Sequence, residues 1–143
     1  MSSGRPVPNV EHLEHRAFWE ATRAHQIKVQ KCASCGTHRF PPRPACNECG
    51  SLEHEWVELS GKGRLYSWTT THVAMMPSFA DAVPYIVGVI ELEGAKGVRM
   101  LGRVVHAESG RLRLGTPVRA VFEDVDDKVT LVNWEPDPAA RTG

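Results

Sequence analysis

All four cysteines of this chain fall in one stretch, "CASCGTHRFPPRPACNECG", spaced Cys32-x2-Cys35-x10-Cys46-x2-Cys49. Two thiols separated by two residues turn toward one point on a tight loop. Gly36 and Gly50 follow the two pairs, where the chain needs a backbone that glycine permits and where amides approach the sulfurs. Four thiolates close a tetrahedral shell, the geometry zinc prefers. A closed shell has no position for water or substrate. The spacing therefore predicts a structural Zn on Cys32, Cys35, Cys46 and Cys49, with no catalytic residue among them. Iron in a rubredoxin-like knuckle pair and a redox dithiol are the alternatives. The redox reading lacks the strand–helix–strand pattern that accompanies it. His38 lies between the pairs as a further imidazole, though four cysteines already suffice.

Composition limits what such a clasp can serve. Seventeen basic residues balance seventeen acidic ones among 143 residues, so the net charge is zero. That speaks against nucleic acid as a partner, since phosphate neutralisation by Lys and Arg dominates such binding. No apolar run approaches the roughly 20 residues of a membrane span. "MSSGRPVPN" lacks the apolar core of a signal peptide. A cytoplasmic protein is expected, where paired cysteines are metal ligands more often than disulfides.

The remainder reads as a mainly β chain. Residues 1–8 are a flexible lead-in. Asn9 is placed to cap a helix over 9–26, with Leu13, Ala17, Ala21 and Ala24 as its apolar stripe, Phe18 beside it and Trp19 off its centre. A rubredoxin-like zinc ribbon is expected over 27–60, with short strands at "IKVQKC", "HRF" and "HEWVEL". From Gly61 the texture is all-β: "GRLYSWTTTHV", "PYIVGVIEL", "VRMLGRVV", "TPVRAVFED" and "KVTLVNW" are five strands. The longer connection "HAESGRLRLG" after the third fits a five-stranded OB-fold barrel over 61–136. Gly88 and Gly102, near the middles of their strands, suit bulges or sharp bends. Tyr66 and Trp68 alternate onto one face. Residues 137–143 read as a disordered tail.

Few groups outside the cysteines suggest chemistry. His12, His15, His25 and His54 lie in polar surroundings and read as solvated. His72 and His106 sit at strand ends, but no nucleophile–base–orienter set forms around either. The acidic run Glu123, Asp124, Asp126 and Asp127 reads as a charged hairpin turn, since it lacks a calcium-loop spacing. The connection "HVAMMPSFADAVPY" carries Met75, Met76 and Phe79 and is expected to form a lid or a partner interface. Phe18 and Trp19 are further candidates for that interface.

A helix, two Cys-x-x-Cys-Gly units and an OB-like barrel form an uncommon order. Over roughly residues 15–136 the chain resembles the acyl-CoA-associated zinc-ribbon/OB-fold proteins, long known as a domain of unknown function. "RFPPRPACNECG", "GKGRLYSWTTTH", "LGTPVRAVFEDVDD" and "VTLVNW" carry the resemblance. It implies a non-catalytic accessory subunit that binds and stabilises a thiolase-superfamily acyl-CoA enzyme. The implied partner is a lipid-transfer-protein-like retro-aldolase of steroid side-chain degradation, or a hot-dog-fold hydratase. It also implies that the chain corresponds to the C-terminal domain of an actinobacterial steroid enoyl-CoA hydratase subunit, with "MSSGRPVPN" as a linker. Acyl-CoA is then a ligand to consider, with Lys28, Lys31, Arg39 and Arg43 as candidates for its phosphates. The competing readings are a single-stranded nucleic-acid binder and a stand-alone acyl-CoA thioesterase using His72 or His106.

Overall fold

The computed structural model describes residues 6–138. The expected lead-in over 1–8 and tail over 137–143 lie mostly outside the described residues. Helix α1 (Arg16–Arg23) leads into strands β1 (Ile27–Cys32), β2 (His38–Arg39) and β3 (His54–Leu59). These pair antiparallel in the order β2-β1-β3. Strands β4 (Lys62–Thr71), β5 (Tyr85–Leu92), β6 (Arg99–Val104), β7 (Pro117–Asp124) and β8 (Thr130–Pro136) then form a closed barrel ordered β4-β5-β6-β8-β7. β7 returns to β4, and β6 meets β8 in parallel at Val104 and Trp134. One barrel of five strands with a single parallel closure is the OB arrangement.

Alternation along the strands explains the barrel core. Ile86, Ile90, Met100, Val104, Val118 and Trp134 point inward, and all are buried. Phe18, Ile27 and Val29 belong to the same apolar cluster, so helix, ribbon and barrel share one core. Burying a side chain of this size is worth about 1.5–3 kcal/mol. The connection after β6 holds a single 3-10 turn, Ser109–Arg111.

Four local expectations are corrected. The helix is eight residues long and does not span 9–26. Its buried face is Phe18, Ala21 and Thr22, whereas Leu13 is 82% exposed, so nothing apolar holds an earlier turn. Asn9 accepts the Glu11 N–H at 3.0 Å and caps a turn ahead of the helix. At the other end His25 takes a left-handed φ of 59°. Its N–H donates to Thr22 O at 2.8 Å and that of Gln26 to Ala21 O at 2.9 Å. This is a Schellman ending with histidine in place of glycine.

No bulge forms at the glycines of β5 and β6. Gly88 faces Gly102 in a register that runs without interruption from Ile86↔Val104 to Glu91↔Arg99. They make room for side chains: a Cβ on Gly102 would lie 2.8 Å from Trp134 Cδ1 and one on Gly88 2.7 Å from Val104 Cγ2. The bulge is at Tyr66, where the β4–β5 register shifts between Leu65 and Ser67. The extra residue turns Tyr66 outward, beneath Arg99 at 3.8 Å, and sends Trp68 toward the core. Tyr66 and Trp68 therefore do not share a face. Finally, Asp137, expected in the tail, is 7% exposed and its N–H donates to Pro117 O at 2.9 Å.

Candidate metal centre

Two matching knuckles build the cysteine site. In the first, the Gly36 N–H donates to Cys32 O at 3.0 Å; in the second, the Gly50 N–H donates to Cys46 O at 2.9 Å. Both glycines take positive φ, 80° and 78°, which turns the chain at the end of each loop. The Cys32 N–H donates to Thr37 O and the Cys46 N–H to Ser51 O, each at 2.9 Å, fixing the two loops alike.

The four sulfurs converge. Cys32 and Cys49 Sγ are 3.6 Å apart, as are Cys35 and Cys46 Sγ, and all four cysteines are free. Metal–sulfur bonds of about 2.3 Å in a tetrahedron place sulfurs about 3.8 Å apart, so the residues fit one ion. Cys32 and Cys46 are buried while Cys35 and Cys49 are exposed, which leaves the site at the tip of the ribbon.

The surrounding amides favour thiolates unevenly. The Cys35 N–H reaches Cys32 Sγ at 3.5 Å and draws its pKa down to about 6. The Cys35 thiol is also lowered, first by the Thr37 hydroxyl at 3.1 Å. Cys49 has the Ser51 amide favouring its anion, but its contacts with the neighbouring thiols, Cys32 first, push it up to about 12. Four sulfurs cannot all carry negative charge at this spacing without a cation between them, which is the electrostatic case for a metal. His38 stands in β2 opposite Lys31, outside the sulfur cluster, and burial lowers its pKa.

The arm between the knuckles is pinned to the ribbon sheet. The Arg43 N–H donates to Gln30 Oε1 and Arg39 Nη2 donates to Arg43 O, each at 2.9 Å. Arg39 is 3% exposed, with Nε and Nη1 buried and unpartnered among the described residues. It is not a surface cation as the sequence suggested. Lys28 and Lys31 are half-buried along β1, and only Arg43 of the four is exposed. The signal for Arg39 was its place opposite Gln30 in a two-residue strand, which is legible only once the ribbon pairs are known.

The candidate interface residues separate into two groups. Phe18 is core: it is 5% exposed, edge-on to Trp19 at 4.9 Å and tilted against Phe40 at 5.0 Å. Trp19 is half-buried against the same cluster. Met75 is 89% and Met76 43% exposed, on the connection between β4 and β5. Phe79, in a 3-10 turn (Pro77–Phe79), is half-buried near Tyr85.

Two histidines expected to be solvated have partners. His25 Nε2 lies 3.0 Å from Asp124 Oδ1, and its ring stacks on Phe122 at 4.9 Å. Asp124 also accepts the Thr130 hydroxyl at 2.7 Å, so the helix end is clamped to the β7–β8 hairpin. His54 approaches the Gln30 amide at 3.3 Å. His106 pairs with Glu135, and His72 is exposed. In the acidic turn, Asp126 Oδ1 accepts the N–H groups of Lys128 and Val129, so that carboxylate serves the hairpin.

Comparison with known proteins follows this division. Residues 19–55 match the family model of the ChsH2 rubredoxin-like zinc ribbon domain, and residues 56–123 that of the ChsH2 C-terminal OB-fold domain. The chain is 38% identical over 120 residues to the 3-oxo-4,17-pregnadiene-20-carboxyl-CoA hydratase alpha subunit of Mycobacterium tuberculosis, covering 84% of this chain and 37% of that one. It thus spans about two fifths of the length of the hydratase alpha subunits it matches. It is 34% identical to the benzoylsuccinyl-CoA thiolase subunit BbsA of Thauera aromatica, covering 79% of this chain and 76% of that one. Among solved structures, a chain of the Ltp2–ChsH2(DUF35) aldolase superposes with a TM-score of 0.78 at 31% identity, covering 92% of this chain and 98% of the other. No helix among the described residues is long and apolar enough to cross a membrane.

Proposed function

The chain belongs to the DUF35 family of zinc-ribbon and OB-fold proteins, and on that premise we propose that it is a non-catalytic subunit of a thiolase-superfamily acyl-CoA enzyme. The partner is a lipid-transfer-protein-like retro-aldolase acting in steroid side-chain degradation. The observation that carries this reading is the superposition over nearly the whole of both chains on the ChsH2-type component of an aldolase. The steroid assignment leans on the pregnadiene-carboxyl-CoA hydratase relative, and the thiolase class on BbsA.

In this reading the ion on the four cysteines is zinc and its role is structural, because four thiolates leave it no open position. Met75, Met76 and Phe79 form the contact with the partner, and Trp19 is a further candidate for it. Lys28, Lys31 and Arg43 are the cations this reading offers to the phosphates of a CoA thioester held by the partner. The catalytic groups belong to that partner.

Co-expression with a thiolase-like aldolase tests the assignment. The expected result is co-elution of both chains on size exclusion, with the partner soluble only in the pair. A partner that is soluble alone and elutes apart from this chain contradicts it.

A further inference from the structure

Ahead of helix α1, three metal-capable side chains converge outside the cysteine site. The ligand atoms of His12, Glu14 and His15 all lie within 4.8 Å of one another. The backbone brings them together: His12 O accepts the N–H groups of His15 at 3.0 Å and Arg16 at 2.8 Å, closing one turn from which all three emerge. The two imidazoles stack at 4.7 Å with 30° between their planes. Among the described residues, the Glu14 carboxylate and the His15 ring form no hydrogen bond or ion pair, and His12 only accepts the Glu14 N–H at a long 3.3 Å. Arg16, the nearest cation in sequence, turns away to the Glu11 carbonyl at 3.3 Å.

We propose that His12, Glu14 and His15 form a second metal site, which takes a divalent first-row transition ion in the zinc class. Two imidazoles and one carboxylate suit such an ion, whereas magnesium and calcium seek oxygen alone. Bonds of about 2.0–2.2 Å require donors about 3.3 Å apart, so the three groups need to close by at most about 1.5 Å. His12 and Glu14 are exposed and His15 is half-buried, so rotation of the side chains supplies that movement. Three protein ligands leave an open position for water or another donor, unlike the four-thiolate site. This site is independent of the reading of the chain as a partner subunit.

The test uses the untagged full-length protein with its cysteine site already filled with zinc, and Zn²⁺ as the probe in competition with a chromophoric chelator. The expected result is a second equivalent, bound more weakly than the first. His15→Ala and Glu14→Gln should each weaken that second equivalent at least tenfold and leave the first unchanged. The imidazole NMR signals of His12 and His15 should shift together on its addition, with that of His72 unmoved. Uptake of one equivalent only overturns the proposal. So does a second equivalent indifferent to both substitutions, or one that leaves the His12 and His15 signals in place.

Discussion

Gly102 lies directly under the indole of Trp134: a Cβ there would meet Cδ1 at 2.8 Å, Nε1 at 3.0 Å and the Val132 carbonyl at 3.1 Å. Trp134 is fully buried at the parallel closure of the barrel, and cannot retreat without opening the seam. Gly102→Ala should therefore destabilise the protein by about 1–3 kcal/mol through overpacking, more than the unfolded-state entropy it saves. Urea denaturation gives the answer directly: the midpoint should fall, and an unchanged midpoint would mean the seam yields.

Removing the metal should loosen the ribbon first. Metal binding in such modules supplies roughly 10–16 kcal/mol of apparent folding energy. Cys35 and Cys49 are exposed, so a chelator has a route to the site. Hydrogen exchange after chelation should show amides of residues 27–59 losing protection before those of β5 and β6. Phe18, Ile27 and Val29 belong to the barrel's core cluster, so barrel stability should fall in turn. Cys46→Ser should behave in the same way. Unaltered protection in the ribbon would show that the fold does not depend on a metal.

Acid should act through Glu135. His106 Nδ1 at 2.6 Å and Arg119 Nε at 2.7 Å hold this carboxylate, His106 first, and keep its pKa below the ordinary range. A group whose pKa is lower in the folded state contributes stability that is complete above its unfolded pKa and is lost as pH falls through the folded one. Asp124, held chiefly by the Thr130 hydroxyl and then by His25, adds to the same window. Glu135→Gln should lower stability near neutral pH and flatten the decline on acidification. Thermal melts across the acid limb would show this; an unchanged slope would assign the decline to other carboxylates.

Met75 and Met76 separate docking from folding. Met75 is almost wholly exposed and touches no part of the core cluster. Replacing both with Ser should leave stability within about 0.5 kcal/mol, yet weaken capture of the proposed partner aldolase at least tenfold. Titration of the partner against labelled wild-type and variant chains measures it. Equal affinity would move the interface elsewhere.

The sequence carried the architecture because its signals were local. Cysteine spacing and strand alternation each read from a few neighbouring residues, and the eight strands lie where alternation places them. What stayed hidden depends on partners in other elements of the fold. The burial of Arg39 follows from its pairing with Gln30, and the left-handed His25 is held by Asp124, 99 residues away. One inserted residue at Tyr66 reversed the facing of Tyr66 and Trp68, a shift that alternation alone cannot register. The helix stops short of its apolar stripe because nothing packs against Leu13 and Ala24 at the ends of that stripe.

The central claim is that the chain completes an enzyme without doing its chemistry. It is tested most directly by the retro-aldol cleavage of a β-hydroxyacyl-CoA, measured for three samples: this chain alone, the thiolase-like partner alone, and the two combined. Turnover only in the combined sample is the predicted result. Full activity of the partner by itself, or turnover by this chain by itself, would contradict the account.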